Sequence, residues 1–236
     1  QAVPSYAVVL AQFGGPPLGH LAGVDFTQLL HAEQALRLHR PLPVAGTVEL
    51  RSEVTGLYDK GSGALVVMRT DGTDPESGDA AFSTRSSVFI RGEGGFCGDR
   101  GPSLGFDLPQ RVPDATLRFA TAPNQALIYR LSGDRNPLHT DPAFAARGRF
   151  PRPILHGLGT YGITCRLLVN EFCGGDGTRL RGIDGRFTKP VLPGDELVVT
   201  AWVDDTATGE DGVVLFRTAN GVGDVTIDRG RFEFTR

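Results

Sequence analysis

The stretch Gly157–Phe172, GLGTYGITCRLLVNEF, places its apolar residues at three- and four-residue intervals on one stripe, which predicts an amphipathic helix. The stretch Phe26–Leu38, FTQLLHAEQALRL, has a similar spacing and is interpreted as a second helix. Other runs are rich in Val, Ile, Thr and Phe with partial period-two alternation, which predicts strands of antiparallel sheets. These runs are Val44–Tyr58, Ala64–Arg69, Ala81–Ile90, Thr116–Leu131, Asp195–Asp204, Val213–Thr218 and Asp224–Thr235.

A similar phrase follows each predicted helix and precedes a strand run: HRPLPVAG over His39–Gly46 and FTKPVLPG over Phe187–Gly194. This repeat indicates two copies of one helix-plus-sheet unit, and therefore an α+β fold. The loop-prone stretch Gly92–Asp114 separates the copies, and we place the boundary inside it, giving domains 1–100 and 101–236. The first copy has too few residues ahead of its helix to match the second, so we expect it to be truncated.

The composition restricts the class of partner. Lys and Arg number 24 against 27 Asp and Glu, so the chain shows neither the basic excess of a nucleic-acid binder nor an acidic tail. Cys97, Cys165 and Cys173 are odd in number and lack CxxC spacing, so we expect no disulfide framework and no metal site. There is no apolar run of transmembrane length and no N-terminal signal pattern, so we expect no membrane partner and a cytoplasmic location.

The densest cluster of chemically versatile residues is YRLSGDRNPLHTD, over Tyr129–Asp141, which holds Asp134, Asn136 and His139. Asp141 before a proline is typical of a helix N-cap, so Asp134 and His139 are predicted on a loop between a strand and a helix. An aspartate near a histidine supplies an acid–base pair whose imidazole titrates near neutrality. The same residue types are ordinary turn formers and helix caps, so the pattern alone leaves a purely structural role open.

The phrase Pro153-Ile-Leu-His-Gly157, which leads into the predicted helix, favours a chemical role. The backbone N–H of Gly157 would project from the helix N-terminus, where it can hold a developing oxyanion. For His156 we favour a packed or capping histidine over a directly catalytic one.

These phrases resemble the hydratase-2 motif of the MaoC-like dehydratases, as found in the hydratase part of peroxisomal multifunctional enzyme type 2. The resemblance covers nearly the whole chain. It implies a double hot dog fold, with two curved antiparallel sheets each wrapped around a long helix, in which a degenerate first half shapes an acyl tunnel for a catalytic second half. The phrases that carry it are Tyr129–His139, Arg152–Leu158, Gly185–Val191, Leu30–Gln34, Tyr58–Gly63 and Ile90–Phe96.

The resemblance implies a hydro-lyase of fatty-acid metabolism, an (R)-specific enoyl-CoA hydratase or 3-hydroxyacyl-thioester dehydratase. Asp134 and His139 would grip one water, with Gly157 holding the thioester oxygen and Asn136 shaping the site. His139 is favoured as the base and Asp134 as the acid, and the reverse assignment stays open.

By the same resemblance, His31, Ala32, Lys60 and Phe187 line the acyl-CoA site, with Lys60 suited to a CoA phosphate. It also implies a homodimer and no cofactor beyond the CoA of the substrate. Without the resemblance, each of these positions would be interpreted as structural. Relatives often have glycine where this chain has Ala32. Cys97 interrupts a segment whose usual sequence in relatives is Gly-Phe-Gly-Gly.

Two rival functions remain open at the level of sequence. A 3-hydroxyacyl-acyl-carrier-protein dehydratase of fatty-acid synthesis would use the same two residues. A non-catalytic acyl-thioester-binding subunit would be expected to have lost Asp134 or His139, and the chain has kept both.

Overall fold

The computed structural model describes residues 2–14, 28–102, 106–207 and 211–236. The chain divides into two compact units, Gln1–Phe106 and Asp107–Arg236, and this division lies within the loop-prone stretch 92–114. Both units are of the α+β class, and each contains antiparallel strand pairs. No helix in the described ranges is long and apolar enough to cross a membrane.

The first unit contains one short helix and four long strands. The elements are α1 (Tyr6–Gln12), β1 (Leu29–Leu38), β2 (Glu49–Asp59), β3 (Gly63–Thr73) and β4 (Ala80–Arg91). The strands lie in the order β2-β3-β4-β1. Helix α1 buries Ala7, Val8, Val9 and Ala11 and contacts β3 and β4.

Strand β1 replaces the helix that was predicted over Phe26–Leu38, so that prediction is wrong; its first two residues lie outside the described ranges. Gln34, Leu36 and Leu38 are buried on alternate positions, which is the period of a strand. Pairing with β4 runs from Leu29 to Leu38, apart from a break at Ala32, and satisfies the backbone groups on that side of β1. So short a segment fits both the helical period of 3.6 residues and the strand period of two, and pairing with a neighbouring strand selects the strand. Within the described part of the first unit, the long helix of the supposed repeat is therefore missing.

The second unit contains the long helix that the sequence predicts. The elements are β5 (Ala115–Ala120), α2 (Gln125–Arg130), a 3-10 turn (Pro137–His139), α3 (Pro142–Arg147), α4 (Gly157–Phe172), a second 3-10 turn (Gly177–Arg179), β6 (Leu180–Phe187), β7 (Glu196–Val203), β8 (Asp211–Asn220) and β9 (Val225–Thr235). The strands lie in the order β6-β9-β8-β7-β5, and helix α4 contacts β5, β6, β7 and β9.

Helix α4 begins and ends at the predicted residues, and its apolar stripe is buried. Leu158, Tyr161, Cys165 and Leu168 recur at helical spacing, and each is less than a tenth exposed. Burial of side chains of this size stabilises the fold by roughly 1.5–3 kcal/mol for each large aliphatic one. The Tyr161 hydroxyl also donates to the backbone carbonyl of Ile183 in β6 at 2.6 Å. These contacts fix the start of α4 relative to the sheet of its own unit.

Two predictions in the second unit differ from the structure. The strand run Thr116–Leu131 is a strand only as far as Ala120, and its second part is helix α2. Pro123 lies between them and cannot donate to a strand ladder, so the strand pairing ends before it. Strand β6 was not predicted, because its sequence LRGIDGRF contains two glycines and lacks the usual strand composition. Its pairing with β9 contains two register shifts beside those glycines.

Candidate active site

The loop that carries Asp134 and His139 lies between two helices, α2 and α3, and not between a strand and a helix as predicted. Oδ1 of Asp134 accepts a hydrogen bond from the backbone N–H of Asn136 at 3.0 Å. Oδ1 of Asn136 in turn accepts from the N–H of Leu138 at 3.0 Å and caps the 3-10 turn. Asp141 caps α3 through two further N–H groups, as predicted. Successive side chain-to-backbone hydrogen bonds therefore brace the loop.

His139 is 9% exposed, and its environment selects one neutral tautomer. Its Nδ1 lies 2.9 Å from the carbonyl oxygen of Ile154. Because a carbonyl can only accept, Nδ1 carries the proton and Nε2 is left with a lone pair. Burial lowers the pKa of His139, and the Ile154 carbonyl and the Asp134 carboxyl oppose that effect. The ring is therefore a neutral base at physiological pH.

Asp134, His139 and His156 converge. A carboxylate oxygen of Asp134 and one ring nitrogen of each histidine all lie within 4.8 Å of one another. A water can make hydrogen bonds of about 2.8 Å to two atoms at this separation. The Asp134 side chain is 31% exposed, so the group is open to solvent on the carboxylate side. The geometry therefore allows the predicted grip of the two residues on a single water.

His156 is the most enclosed member of the cluster, with 1% of its surface exposed. Its ring stacks on that of His139 at 3.6 Å between centroids and 28° between planes, and it lies 4.7 Å from the Tyr129 ring. Burial, followed by the neighbouring His139, lowers the pKa of His156 to about 4, against the opposing effect of Asp134. The side chain makes no capping hydrogen bond to α4, so it is packed and does not cap.

The same three side chains are the group from which a metal could draw ligands. Metal–imidazole bonds lie in the plane of each ring. Since the rings of His139 and His156 are stacked and close to parallel, their lone pairs run side by side and do not point at one position. This arrangement fits a metal centre poorly, and it fits an acid–base site well.

Gly157 and Phe187 come together at the start of α4. A Cβ on Gly157 would lie 3.3 Å from the Phe187 ring, so the ring covers the glycine closely. In the described part of the chain, the Gly157 N–H has no hydrogen-bond acceptor, as expected for the first residue of a helix. This N–H and the positive end of the helix dipole can stabilise a developing negative charge.

The remaining predicted binding residues lie in the first unit. His31 and Ala32 are on β1, where the pairing with β4 shifts register between His31 and Glu33 and leaves a bulge at Ala32. The His31 Nε2 lies 3.0 Å from the Glu33 carbonyl. Lys60 begins the β2–β3 turn, and its ammonium donates to the carbonyl of Arg100. An ammonium has three N–H donors, so this contact leaves others for a phosphate.

Models of two protein families match the chain. The MFE-2 hydratase 2 N-terminal domain matches residues 1–92, and the MaoC like domain matches residues 106–224. The chain belongs to the MaoC-like dehydratase family. This family membership confirms the resemblance read from the sequence.

Individual relatives of this MaoC-like chain agree with the family match. It is 44% identical to 3-hydroxyacyl-thioester dehydratase Y of Mycobacterium tuberculosis, over 99% of this chain and 82% of that protein. It is 39% identical to peroxisomal multifunctional enzyme type 2 of Mus musculus, over 95% of this chain and 31% of that protein.

Solved structures share the fold of this MaoC-like chain. A MaoC-like dehydratase from Phytophthora capsici matches with a TM-score of 0.86 and 34% identity, over 100% of this chain and 83% of that one. A Mycobacterium tuberculosis protein described as having a double hotdog fold matches with a TM-score of 0.64 and 17% identity, over 99% of this chain and 81% of that one. The predicted double hot dog fold class is confirmed, although the long helix predicted over Phe26–Leu38 in the first half is wrong.

Sequence reasoning missed two contributors to the MaoC-like site. The first is the carbonyl of Ile154, which fixes the tautomer of His139 and which no side-chain pattern could have indicated. The second is Tyr129, whose ring packs against His156 and lies 3.3 Å from the position of a Cβ on Gly159. The glycine at 159 leaves room for this ring, but a glycine alone does not indicate which side chain packs against it.

Proposed function

We propose that the chain is an (R)-specific enoyl-CoA hydratase, which adds water reversibly to trans-2-enoyl-CoA to give (R)-3-hydroxyacyl-CoA in fatty-acid metabolism. The observation that carries the proposal is the convergence within 4.8 Å of Asp134, His139 and His156, the last of which directly precedes the Gly157 amide. The names of the relatives, a 3-hydroxyacyl-thioester dehydratase and a multifunctional enzyme with a hydratase 2 part, support this reaction.

The tautomer of His139 supports its role as the base. Its Nε2 takes a proton from the water as the water oxygen bonds to C3 of the enoyl group. The electron pair of the double bond moves toward the thioester carbonyl, whose oxygen is held by the Gly157 N–H. Asp134 then delivers a proton to C2, and His139 returns a proton to Asp134 through solvent. This assignment requires Asp134 to enter the cycle protonated. The reverse assignment requires a charged His139, which its lowered pKa disfavours.

The substrate contacts belong to the same proposal. Lys60 binds a phosphate of CoA, His31 and Ala32 line the acyl-CoA site from the first unit, and Phe187 lines it beside Gly157. Asn136 shapes the site by holding the turn that carries His139. No metal or separate cofactor takes part.

The proposal extends to the organisation of the protein. The first domain, 1–100, binds the acyl-CoA, and the second, 101–236, carries out the chemistry. The protein forms a homodimer and acts in the cytoplasm.

The second candidate is dehydration of a 3-hydroxyacyl group on acyl carrier protein. It is favoured by the name of the mycobacterial relative, which specifies a thioester and a dehydratase but no carrier. The reaction is the reverse one at the same residues. Comparing kcat/KM for the CoA and carrier-protein thioesters of one acyl group separates the two candidates.

The test is the change in enoyl-thioester absorbance on adding purified protein to crotonyl-CoA or decenoyl-CoA. We expect Asp134→Asn and His139→Ala each to lower kcat by at least about a hundredfold, as is common for general acid–base groups. Asp141→Asn is the matched control, because asparagine caps a helix as well as aspartate does and the site is in the same segment. An inactive wild-type protein across enoyl-CoAs of increasing length would contradict the proposal, and chiral analysis of the product tests the R configuration.

A further inference from the structure

We propose that His156 is a positioning residue whose Nε2–H donates a hydrogen bond to Oδ2 of Asp134 as Asp134 releases its proton. The inference rests on the proposed function and adds to it a third side chain. His156 would not touch the substrate, because its role is to hold and stabilise the carboxyl group that does.

The first observation is that His156 is buried with unused polar atoms. Neither Nδ1 nor Nε2 makes a hydrogen bond of ordinary geometry to any described residue. The backbone of Asp134 lies near enough to oppose the lowering of the ring's pKa, but it makes no such bond. A neutral imidazole always carries one N–H and one lone pair, and leaving such a group buried without a partner costs about 1–3 kcal/mol. Groups of this kind in native proteins call for an explanation, and function is a frequent one.

The second observation is that the two carboxyl oxygens of Asp134 have different surroundings. Oδ1 is already held by the backbone N–H of Asn136. Oδ2 lies 4.0 Å from Nε2 of His156, which is longer than a hydrogen bond by about 1 Å. Hydrogen bonds to a full carboxylate are shorter and stronger than those to a neutral acid. A small rotation of the Asp134 side chain as it becomes charged therefore closes the gap.

The third observation is that the ring of His156 cannot turn away. It is 1% exposed, stacks on the ring of His139 at 3.6 Å and lies 4.7 Å from the tilted ring of Tyr129. Burial and the neighbouring His139 hold the pKa of His156 at about 4, so the ring is neutral and cannot compete with Asp134 as a proton source at physiological pH. A fixed, neutral N–H is the group that stabilises a charge that appears only during the reaction.

These observations give the segment Ile154–Gly157 a common purpose. The carbonyl of Ile154 orients His139, the ring of His156 faces Asp134, and the amide of Gly157 is placed for the thioester oxygen. One short segment before α4 thus supplies a group for the base, a group for the acid and a group for the thioester oxygen.

The experiment compares three substitutions by steady-state kinetics with crotonyl-CoA. His156→Gln places an amide N–H near the position of Nε2, His156→Asn places one near Nδ1, and His156→Phe keeps the stacked ring without any N–H. We expect the kcat of His156→Gln to stay within about threefold of the wild-type value. The kcat of His156→Asn and of His156→Phe should fall by about tenfold to a hundredfold with little change in KM, because each loses one charge-assisted hydrogen bond. If Phe retains as much activity as Gln, or if the loss is confined to KM, the inference is wrong.

Two controls separate this inference from folding defects and from the proposed function. Thr164 lies on the same helix α4 as the Gly157 amide and makes a buried hydrogen bond to Thr218 of β8. Thr164→Val removes this bond and should lower the thermal midpoint without lowering kcat. The second control needs no activity: the imidazole ¹⁵N shifts of His156 in the wild-type protein should report the Nε2–H tautomer. An Nδ1–H tautomer overturns the inference even in an active enzyme, whereas an inactive wild-type protein with the Nε2–H tautomer counts against the hydratase proposal alone.

Discussion

At the scale of single residues, the site depends on two histidines that are held neutral for different ends. His139 is neutral with Nδ1 committed to the Ile154 carbonyl, so its Nε2 can take a proton. His156 is neutral because it is almost fully buried beside another imidazole. The pKa of His139 should therefore determine how the rate depends on pH, and the pKa of His156 how the stability depends on pH.

The rate should fall on the acid side because His139 must be neutral to act as base. Its pKa is lowered by burial, so half of the activity should remain at a pH below the ordinary histidine value of 6.5. Below that point kcat/KM should fall about tenfold for each pH unit, since the active fraction is the unprotonated one. The measurement is kcat/KM for crotonyl-CoA between about pH 4.5 and 8. A kcat/KM that shows no fall at the acid end of this range would contradict the requirement for a neutral His139.

The stability should also fall on the acid side, because of His156. Its pKa is about 4 in the folded protein against 6.5 for an ordinary histidine, so the unfolded chain binds the proton more tightly. The neutral ring's contribution is therefore complete above about pH 6.5 and is lost as the pH falls toward about 4. We expect the wild-type thermal midpoint to drop through this window more steeply than that of His156→Phe, which has no titrating ring there. Parallel curves for the two proteins would contradict this assignment of the acid sensitivity.

At the scale of elements, the second unit depends on how α4 is anchored to β6. Tyr161 is fully buried, and its hydroxyl donates to the Ile183 carbonyl at 2.6 Å. Tyr161→Phe leaves that buried carbonyl without this donor and should lower the free energy of unfolding by about 1–2 kcal/mol. Tyr6→Phe, at an exposed tyrosine of α1, is the matched control and should change it by less than about 0.5 kcal/mol. Urea denaturation measures both, and equal midpoints for the two variants would contradict the anchoring role.

Predictability at this scale followed the amount of local information in each segment. Helix α4 was predicted to the residue, because sixteen residues of one period leave no alternative. Strand β1 was predicted as a helix, because its ten residues fit both periods and only pairing with β4 separates them. Helix α2 was predicted as part of a strand, because the apolar and aromatic residues of QALIYR are also good strand formers.

The clustering of the candidate site residues was easier to predict than the elements around them, for a physical reason. Asp134, Asn136 and His139 lie within six positions, so local chain geometry keeps them close together, and Gly157 belongs to a second phrase. The contributions of the Ile154 carbonyl and the Tyr129 ring depend on packing between segments. Backbone groups have no sequence signature, and such contributions could be found only from the folded chain.

At the scale of the whole molecule, the proposed division of labour gives the first unit the binding of CoA and the second unit the chemistry. Lys60 tests that division, because it lies in the first unit and its proposed role is electrostatic. Asp59, next to it, accepts hydrogen bonds from the N–H groups of Gly61 and Gly95 and fixes the turn. Lys60 is therefore presented from an ordered turn, and its side chain can be removed without removing the hydrogen bonds of Asp59.

Lys60→Ala should raise KM for crotonyl-CoA by about three- to tenfold and leave kcat unchanged, because one exposed charge contact to a phosphate contributes about 0.5–1 kcal/mol or somewhat more. The same variant should behave as wild type toward crotonyl-pantetheine, which lacks the nucleotide phosphates. Arg51→Ala removes an exposed positive charge from the same hairpin and is the matched control, with KM expected to stay at the wild-type value. A KM that rises equally for both substrates would mean that Lys60 contacts the pantetheine or acyl part, and a fall in kcat would place it near the reacting atoms. Either result would remove the proposed separation between a binding unit and a catalytic unit.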